Sequence, residues 1–223
     1  MTQQQHAPSP RTRVKRGLKR AQYERAAIEA IVDAQPLCHV GIVEDGLPIV
    51  TPTLCWREGG RLYWHGSSAS RMVRAAEGAE VCLSIALLDG WVMARSAFHH
   101  SVNFRSAMVF GRAEKSSEAD KDKHLEAMIE AFFPGRWATL RPMTDKERKA
   151  TTVLSLPIDE ASAKVRTGGP VDDEEDYELP IWAGVLPTFE AYGEPEPDPR
   201  NLAGVHLPDD IKAFLTKGAA KGR

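Results

Sequence analysis

Alternating apolar and polar positions recur in short runs over residues 37–112, and each run ends at turn residues. The runs CHVGIV, LPIVTPTLCWR and RLYWHG are rich in β-branched and aromatic residues, and Asp-Gly or Gly-Gly pairs separate them. This combination is typical of consecutive antiparallel hairpins. Further strands are predicted in EVCLSIALLDGWVMARS, FRSAMVFGRAEK, TTVLSLPI, EASAKVR and IWAGVLP.

Three other segments follow the helical period. They are YERAAIEAIVDA, SRMVRAAE with Ser70 as its candidate N-cap, and SEADKDKHLEAMIEAFF with apolar residues on one face. Thr144 and Glu147 in TDKERKA have the spacing of a capping box. Many short strands with few helices predict a mainly β fold, a closed or split antiparallel β-barrel, rather than a parallel α/β sheet.

The two ends of the chain differ in composition from this central part. Six basic residues lie between Arg11 and Arg20, and the residues after 192 are rich in proline and show little periodicity. We expect a flexible basic arm over residues 1–20, one barrel domain over residues 21–190, and a Pro-rich tail over residues 191–223 that wraps or extends. The acidic run DDEEDYE is interpreted as a solvated, mobile segment, and the alternative is that the basic arm docks on it.

Composition narrows the kinds of molecule that the protein is expected to bind and the cellular compartment in which it is expected. The chain has 223 residues with a formal net charge of -2, which gives no overall electrostatic case for nucleic acid or an anionic membrane. No apolar run approaches the roughly 20 residues that span a bilayer, and no secretory signal is visible, so we expect a cytoplasmic protein. Cys38, Cys55 and Cys82 lie in apolar runs without ligand spacing, so we expect no metal site.

Polar groups concentrate in two stretches, RLYWHGSSASRMVR at 61–74 and RSAFHHSVNFRS at 95–106. The first runs from a strand through a serine-rich turn into a helix start that carries Arg71 and Arg74. The second brings further arginine and serine side chains to the ends of two strands. Backbone N–H groups at a helix start, serine hydroxyls and guanidinium groups all suit a phosphate. Two local cationic clusters in a net acidic chain predict a bound anion.

These motifs resemble those of the FMN-binding split barrels related to pyridoxamine 5′-phosphate oxidase, over about residues 25–190. DGWVMARSAFHHSVNFRSAMVFGRAE is most similar to the nitroimidazole-resistance-like and flavin-nucleotide-binding-protein branch. RLYWHGSSASRM resembles the family's phosphate turn, and IWAGVLPTFEAYG resembles its late Trp-x-Gly-x-x-x-Pro element. The resemblance implies a split β-barrel that binds FMN and forms a homodimer with two FMN sites at the interface.

The resemblance also implies the residues that bind the FMN. One group lies near the phosphate and ribityl chain, a pair of threonines lies beneath the ring, a third group lines the other side, and a tryptophan lies near the isoalloxazine. In that order, the implied cofactor-binding residues are Trp64, His65, Ser70 and Arg71; Thr51 and Thr53; Arg95, Ser96, Asn103, Arg105 and Ser106; and Trp182.

Two departures from the oxidases change what the resemblance implies. Met72 stands in the phosphate turn where the oxidases have lysine, which lowers the expected FMN affinity or leaves phosphate binding to Arg71 and Arg74. Val185 and Leu186 stand where the oxidases have a basic residue for the phosphate of the vitamin. Oxidation of vitamin B6 is therefore not expected. His99 and His100 are interpreted as catalytic, substrate-side polar groups, and the alternatives are turn residues with a structural role or, in a haem-binding barrel, an iron ligand.

The sequence as a whole predicts an FMN-dependent oxidoreductase or reductase that acts on a small molecule, with a nicotinamide as a candidate electron donor. The alternatives are a non-catalytic flavin-nucleotide carrier or sensor, and a haem-binding split barrel.

Overall fold

The structure is a computed structural model that describes residue 7 and residues 9–221. The described residues form ten strands and five α-helices, joined by turns and loops. The strands are β1 (Ala21–Gln22), β2 (Leu37–Glu44), β3 (Leu47–Glu58), β4 (Arg61–Ser67), β5 (Glu80–Met93), β6 (Ser101–Arg112), β7 (Glu114–Lys115), β8 (Thr151–Pro157), β9 (Glu160–Arg166) and β10 (Gly184–Pro187). The helices are α1 (Arg25–Ala34), α2 (Arg71–Ala76), α3 (Lys121–Phe132), α4 (Asp145–Ala150) and α5 (Asp209–Lys221).

The strands pair antiparallel in the order β1-β9-β6-β5-β2-β3-β4-β8-β7. β5 pairs with β6 along nearly its whole length, and its other edge is shared between β2 at residues 82–84 and β10 at residues 90–93. The expected antiparallel split barrel, mainly β with a few helices, is confirmed.

The hairpin between β2 and β3 follows from its turn residues. Glu44 pairs with Leu47, and the two residues between them, Asp45 and Gly46, have φ values of 51° and 78°. Positive φ at both central positions is the requirement of the two-residue type I′ turn, and an Asp-Gly pair meets it. The Gly59-Gly60 turn between β3 and β4 is also where the sequence predicts it.

Two hydrophobic cores hold the barrel together. The main core lies inside the sheet and includes Leu62, Trp64 and Leu83, all 0% exposed. A second cluster lies between β3, β4, β8 and α3. Its members are Trp56, Tyr63, Leu125 and Val153, with Leu54, Met128, Phe132, Trp137 and Met143 packed against them. Alternate residues of β4 therefore serve two different cores, because successive strand side chains point to opposite faces.

The helix signals in the sequence are confirmed with one difference. Thr144 and Glu147 form the expected capping box of α4, with both reciprocal hydrogen bonds present. Ser70 is the N-cap residue of α2, but its side chain makes no capping hydrogen bond. Its hydroxyl is therefore available to another acceptor or donor. Within the described residues, no helix has both the length and the apolar character needed to cross a bilayer.

Part of the basic arm, expected to be flexible, packs on the barrel. Thr12 is 2% exposed, and Arg11 forms ion pairs with Glu80 and Glu160. The Val14 backbone N–H donates to the Tyr23 hydroxyl at 2.9 Å. Residues 1–6 and 8 of the arm lie outside the described residues. The limits of the arm, domain and tail stay predictions.

The C-terminal tail wraps and contains a helix that sequence reasoning did not predict. The Phe214 ring of α5 lies 4.8 Å from the rings of both Phe133 and Tyr192. Arg136 Nη1 lies 3.7 Å from a carboxylate oxygen of Asp210. These contacts fix the helix beside the end of α3.

Close packing at Gly90 allows β10 to join the sheet. A Cβ atom at this position would lie 2.9 Å from the Leu186 carbonyl oxygen and 3.2 Å from a Val185 methyl carbon. We expect Gly90→Ala to lower the free energy of unfolding by about 1–3 kcal/mol, as overpacking does, and to raise amide exchange in β10. Gly193→Ala is the control, since nothing lies within 4 Å of its Cβ position. Unchanged exchange in β10 would show that its pairing does not depend on this glycine.

Candidate functional site

Buried polar atoms without a partner point to a ligand site. Among the described residues, five side-chain nitrogen or oxygen atoms are buried and make no hydrogen bond: Trp64 Nε1, His65 Nδ1, Arg95 Nε, Ser96 Oγ and Asp210 Oδ2. Four of these atoms belong to residues that the sequence resemblance assigns to the cofactor. A buried donor or acceptor without a partner costs on the order of 1–3 kcal/mol. A bound ligand at these positions would relieve that cost.

β4 presents two of these atoms on opposite faces. Trp64 is 0% exposed in the main core, so its indole N–H is surrounded by apolar side chains. His65 points to the other face, where its ring centroid lies 6.0 Å from that of Trp56. Burial lowers the pKa of His65 below its ordinary value, so its imidazole is neutral near pH 7. The two side chains cannot line the same side of one ligand.

The serine-rich turn follows β4 directly. The Ser67 hydroxyl accepts from the Ala69 backbone N–H at 3.2 Å, and Arg74 Nη2 donates to the Ala69 carbonyl at 2.7 Å. Arg71 forms an ion pair with Glu44, and its side chain is 68% exposed. Exposed pairs of this kind are weak, so Arg71 can exchange its carboxylate for a phosphate.

At the end of β5, Arg95 has a carboxylate partner within the chain. The Asp172 side chain is 0% exposed, and its two oxygens accept from the Arg95 backbone N–H and from Nη1, both at 3.0 Å. The Arg95 guanidinium carbon also lies 4.8 Å from the centre of the Tyr177 ring. The interpretation of residues 172–178 as wholly solvated is therefore wrong for Asp172, because a guanidinium 77 positions earlier holds it.

His99 and His100 lie in the same loop and are both engaged. His99 Nε2 is 3.4 Å from Asp173 Oδ2, and His100 Nδ1 is 2.8 Å from the Ser96 carbonyl oxygen. These contacts are those of turn residues. A catalytic role for either histidine stays a prediction.

The other residues expected on β6 also have partners within the chain. Arg105 makes a bidentate pair with Asp89, through Nε at 2.9 Å and Nη2 at 2.7 Å. Asn103 is 7% exposed and donates to the Gly168 carbonyl at 3.0 Å. Ser106 Oγ lies 3.4 Å from the Lys164 carbonyl oxygen. Their assignment to a flavin stays a prediction.

The remaining predicted residues lie on β3 and before β10. Thr51 and Thr53 are directly opposite Val40 and Cys38 on β2, so they share the face of those buried side chains. Trp182 is 66% exposed, and its ring covers Gly184, where a Cβ atom would lie 2.9 Å from it. No hydrogen bond or ion pair among the described residues joins the serine turn to the 95–106 segment.

Sequence reasoning missed two polar residues of the second cluster, Glu58 and His124. His124 Nδ1 lies 2.9 and 3.0 Å from the two Glu58 oxygens. Glu58 ends β3 before a Gly-Gly turn, and His124 lies on a helix 66 positions later. The sequence offers no local signal that pairs them.

The buried carboxylate of Asp172 gives a prediction on stability. We expect Asp172→Ala to lower the midpoint of thermal unfolding by several degrees, because Arg95 loses its buried partner. Burial alone would raise the pKa of Asp172, but hydrogen bonds from the Arg95 backbone and guanidinium hold it below its ordinary value. The pair's contribution is therefore complete above about pH 4, the ordinary range of an aspartate, and falls as the pH drops through the lowered pKa.

Asp173→Ala is the matched control, since its side chain is 82% exposed. Thermal unfolding at neutral pH and again below pH 4 is the measurement. If the two alanine variants unfolded at the same temperature at neutral pH, the Arg95–Asp172 pair would not stabilise the fold.

The fold defines an antiparallel split-barrel protein, and the buried polar groups mark a candidate ligand site in it. The family model for pyridoxamine 5′-phosphate oxidase matches residues 24–165. The chain belongs to the pyridoxamine 5′-phosphate oxidase family. No curated protein matches the chain.

Solved structures that are similar to this one include the following three. The flavocytochrome Anf3 from Azotobacter vinelandii is 54% identical, covers 94% of this chain and 99% of its own, and superimposes with a TM-score of 0.91. The FAD and haem binding protein from Mycobacterium smegmatis is 38% identical, with 87% and 97% covered and a TM-score of 0.85. A 5-nitroimidazole antibiotic resistance protein from Bacteroides thetaiotaomicron is 22% identical, with 65% and 86% covered and a TM-score of 0.55, and supports the fold alone.

Proposed function

We propose that this protein binds a flavin and a haem and transfers electrons between them. The observation that carries the proposal is the set of buried, unpaired polar atoms on Trp64, His65, Arg95 and Ser96. The proposal is supported by the 54% identity to a flavocytochrome over 94% of this chain. It is further supported by the FAD and haem of the M. smegmatis relative. Haem, an alternative in the sequence analysis, thus becomes part of the proposed function.

FAD takes the place of the expected FMN in this proposal, because the relative at 38% identity is a FAD and haem binding protein. Its phosphates would bind the serine turn, where the Ser70 hydroxyl makes no capping hydrogen bond and the Arg71 side chain, paired with Glu44, is 68% exposed. Hydroxyl groups and a bidentate guanidinium are suited to phosphate oxygens. Ser96 Oγ, which is buried without a hydrogen-bond partner, would donate to an acceptor on the flavin.

His65 is the residue we assign to the haem iron. Its imidazole is neutral, since burial lowers the pKa, and a neutral imidazole is the form that binds iron. Its surroundings are apolar and aromatic, with Trp56 and Tyr63 only 3% and 7% exposed. These surroundings suit a porphyrin. Among the other described histidines, His99, His100 and His124 have a hydrogen-bond partner within the chain, and His39 and His206 are exposed.

When both groups are bound, the flavin would supply two-electron chemistry, as with a reduced nicotinamide, and the haem iron would supply one-electron chemistry. Together they would convert a two-electron donation into single-electron transfers. The protein's part is to bind both groups, keep His65 neutral and exclude water from the aromatic cluster. A reduced nicotinamide as electron donor and a cytoplasmic location belong to the proposal.

We further propose that the protein is a homodimer with the flavin at its interface. The outward face of the β3-β2-β5-β6 sheet supports this, because Val43, Val50 and Met108 are 68%, 65% and 42% exposed there. The small residues Gly41 and Ser84 lie between them, which allows close approach. Val50→Glu should give a monomer that loses flavin, measured by light scattering with absorbance detection. A flavin-loaded monomer would contradict the shared site.

Titration of cofactor-free protein tests the proposed function. We expect FAD to quench protein fluorescence at a lower concentration than FMN, and hemin to give a Soret band in the FAD-loaded protein. Tighter binding of FMN would restore the cofactor expected from the sequence. No Soret band at any hemin concentration would overturn the haem assignment.

A further inference from the structure

One carboxylate holds two aromatic side chains next to His65. Trp56 Nε1 donates to Glu58 Oε1 at 2.9 Å, and the same carboxylate accepts from His124 Nδ1 at 2.9 Å and 3.0 Å. The Glu58 and His124 side chains are 21% and 13% exposed. The Glu58 carboxylate of β3 thus lies at the edge of the second cluster, where it is hydrogen-bonded to the His124 imidazole of α3.

Ring contacts connect this pair to His65. The Trp56 and Tyr63 rings stack at 5.7 Å with 20° between their planes, and His124 packs on Tyr63 at 4.5 Å. Trp56 lies 6.0 Å from the ring of His65. Trp56 and Tyr63 are directly opposite in the β3–β4 register, and Tyr63 and His65 share a face of β4. The four rings therefore form one packed group.

We propose that Glu58 and His124 are positioning residues for His65 and that they act through the Trp56 indole. The indole cannot turn away from His65 without losing its acceptor, and Glu58 cannot turn away without losing both donors. The carboxylate also places a negative charge near the site, which disfavours addition of an electron there. This inference rests on the proposed binding of haem by His65.

Hydrogen-bonded groups around a metal ligand commonly orient it and tune the metal. Removing a group bonded to the ligand itself reduces metal affinity roughly tenfold or more, and Glu58 acts one contact further out, through the Trp56 ring. Glu58 fits this role because two partners hold its carboxylate and only 21% of its side chain is exposed. Removing Glu58 should therefore have two separate effects on the haem, one from the loss of the indole's acceptor and one from the loss of the negative charge.

Two substitutions separate these parts. Glu58→Ala removes the acceptor of the indole, so we expect a shifted Soret band and roughly tenfold faster transfer of haem to apomyoglobin. Glu58→Gln keeps an acceptor for the indole but removes the charge. We expect it to keep the wild-type Soret position while the haem midpoint potential becomes more positive.

Glu126→Gln is the matched control, because Glu126 is an exposed carboxylate on α3. It should match the wild type in spectrum, transfer rate and potential. Circular dichroism and flavin content check that each variant is folded, and the conservative glutamine variant keeps the test valid if alanine unfolds the protein.

The outcomes distinguish this inference from the proposed function. If the wild-type protein forms no Soret band, both are wrong. If it binds haem through His65 but both Glu58 variants match the wild type in potential and transfer rate, only this inference is wrong. Loss of haem from His124→Ala with retention in His65→Ala would make His124 the ligand and overturn the positioning role.

Discussion

His65→Ala should abolish the Soret band of the protein and leave its flavin absorption unchanged. Alanine removes the imidazole that β4 offers beside the second cluster, and the nearby His124 is already held by Glu58 through Nδ1. The apolar wall alone would hold a porphyrin weakly, because the bond to iron supplies much of the affinity. Absorption spectra after hemin reconstitution and gel filtration measure the effect.

His206→Ala is the control for this experiment, since His206 is exposed in the C-terminal tail, outside the second cluster and the proposed dimer face. It should bind haem as the wild type does. A normal Soret band in His65→Ala would remove His65 from the haem site and leave its unpaired buried nitrogen without an explanation.

Arg71→Ala should weaken flavin binding, with an expected loss of about 1.5–3 kcal/mol, or roughly 10- to 160-fold in Kd, the usual effect of losing a charge-assisted contact. The guanidinium follows the serine turn directly, and the Arg71 side chain is 68% exposed although it pairs with Glu44. Fluorescence titration with FAD measures the change.

Arg141→Ala provides a closely matched control. Its side chain is 67% exposed and paired with Glu147, compared with 68% and Glu44 for Arg71. The Kd of this variant should equal that of the wild type. Equal Kd values for both arginine variants would place the flavin phosphate elsewhere.

Most of the fold could be predicted from the sequence because its signals are local. The Asp45-Gly46 turn, the capping box of α4 and the alternation along β4 each depend on residues within a few positions of one another. The C-terminal helix could not, because it is stabilised by Phe133 and Arg136 on a distant element.

The candidate site was only partly predictable for the same reason. Sequence motifs single out Trp64, His65, Arg95 and Ser96, and the structure leaves one buried polar atom of each without a partner. No local pattern indicates that Asp172 pairs with Arg95 or that Asp89 pairs with Arg105. Those pairs depend on how the strands and loops pack together. Because Arg95 and Arg105 already have carboxylate partners, they are less available to a phosphate than Arg71 is.

The second cluster shows most clearly which contacts a sequence does not predict. A strand period places Tyr63 and His65 on one face, but only the packing of α3 brings His124 to the Glu58 carboxylate. An apolar helix face on α3 predicts burial and does not identify the strand that it covers.

The cofactor content of the purified protein tests the central claim most directly. An absorption spectrum, followed by acid extraction and mass analysis of the released cofactors, should show a flavin and a haem in equal amounts, with FAD as the flavin. A colourless protein, or one that carries a flavin but forms no Soret band even after hemin is supplied, would contradict the account.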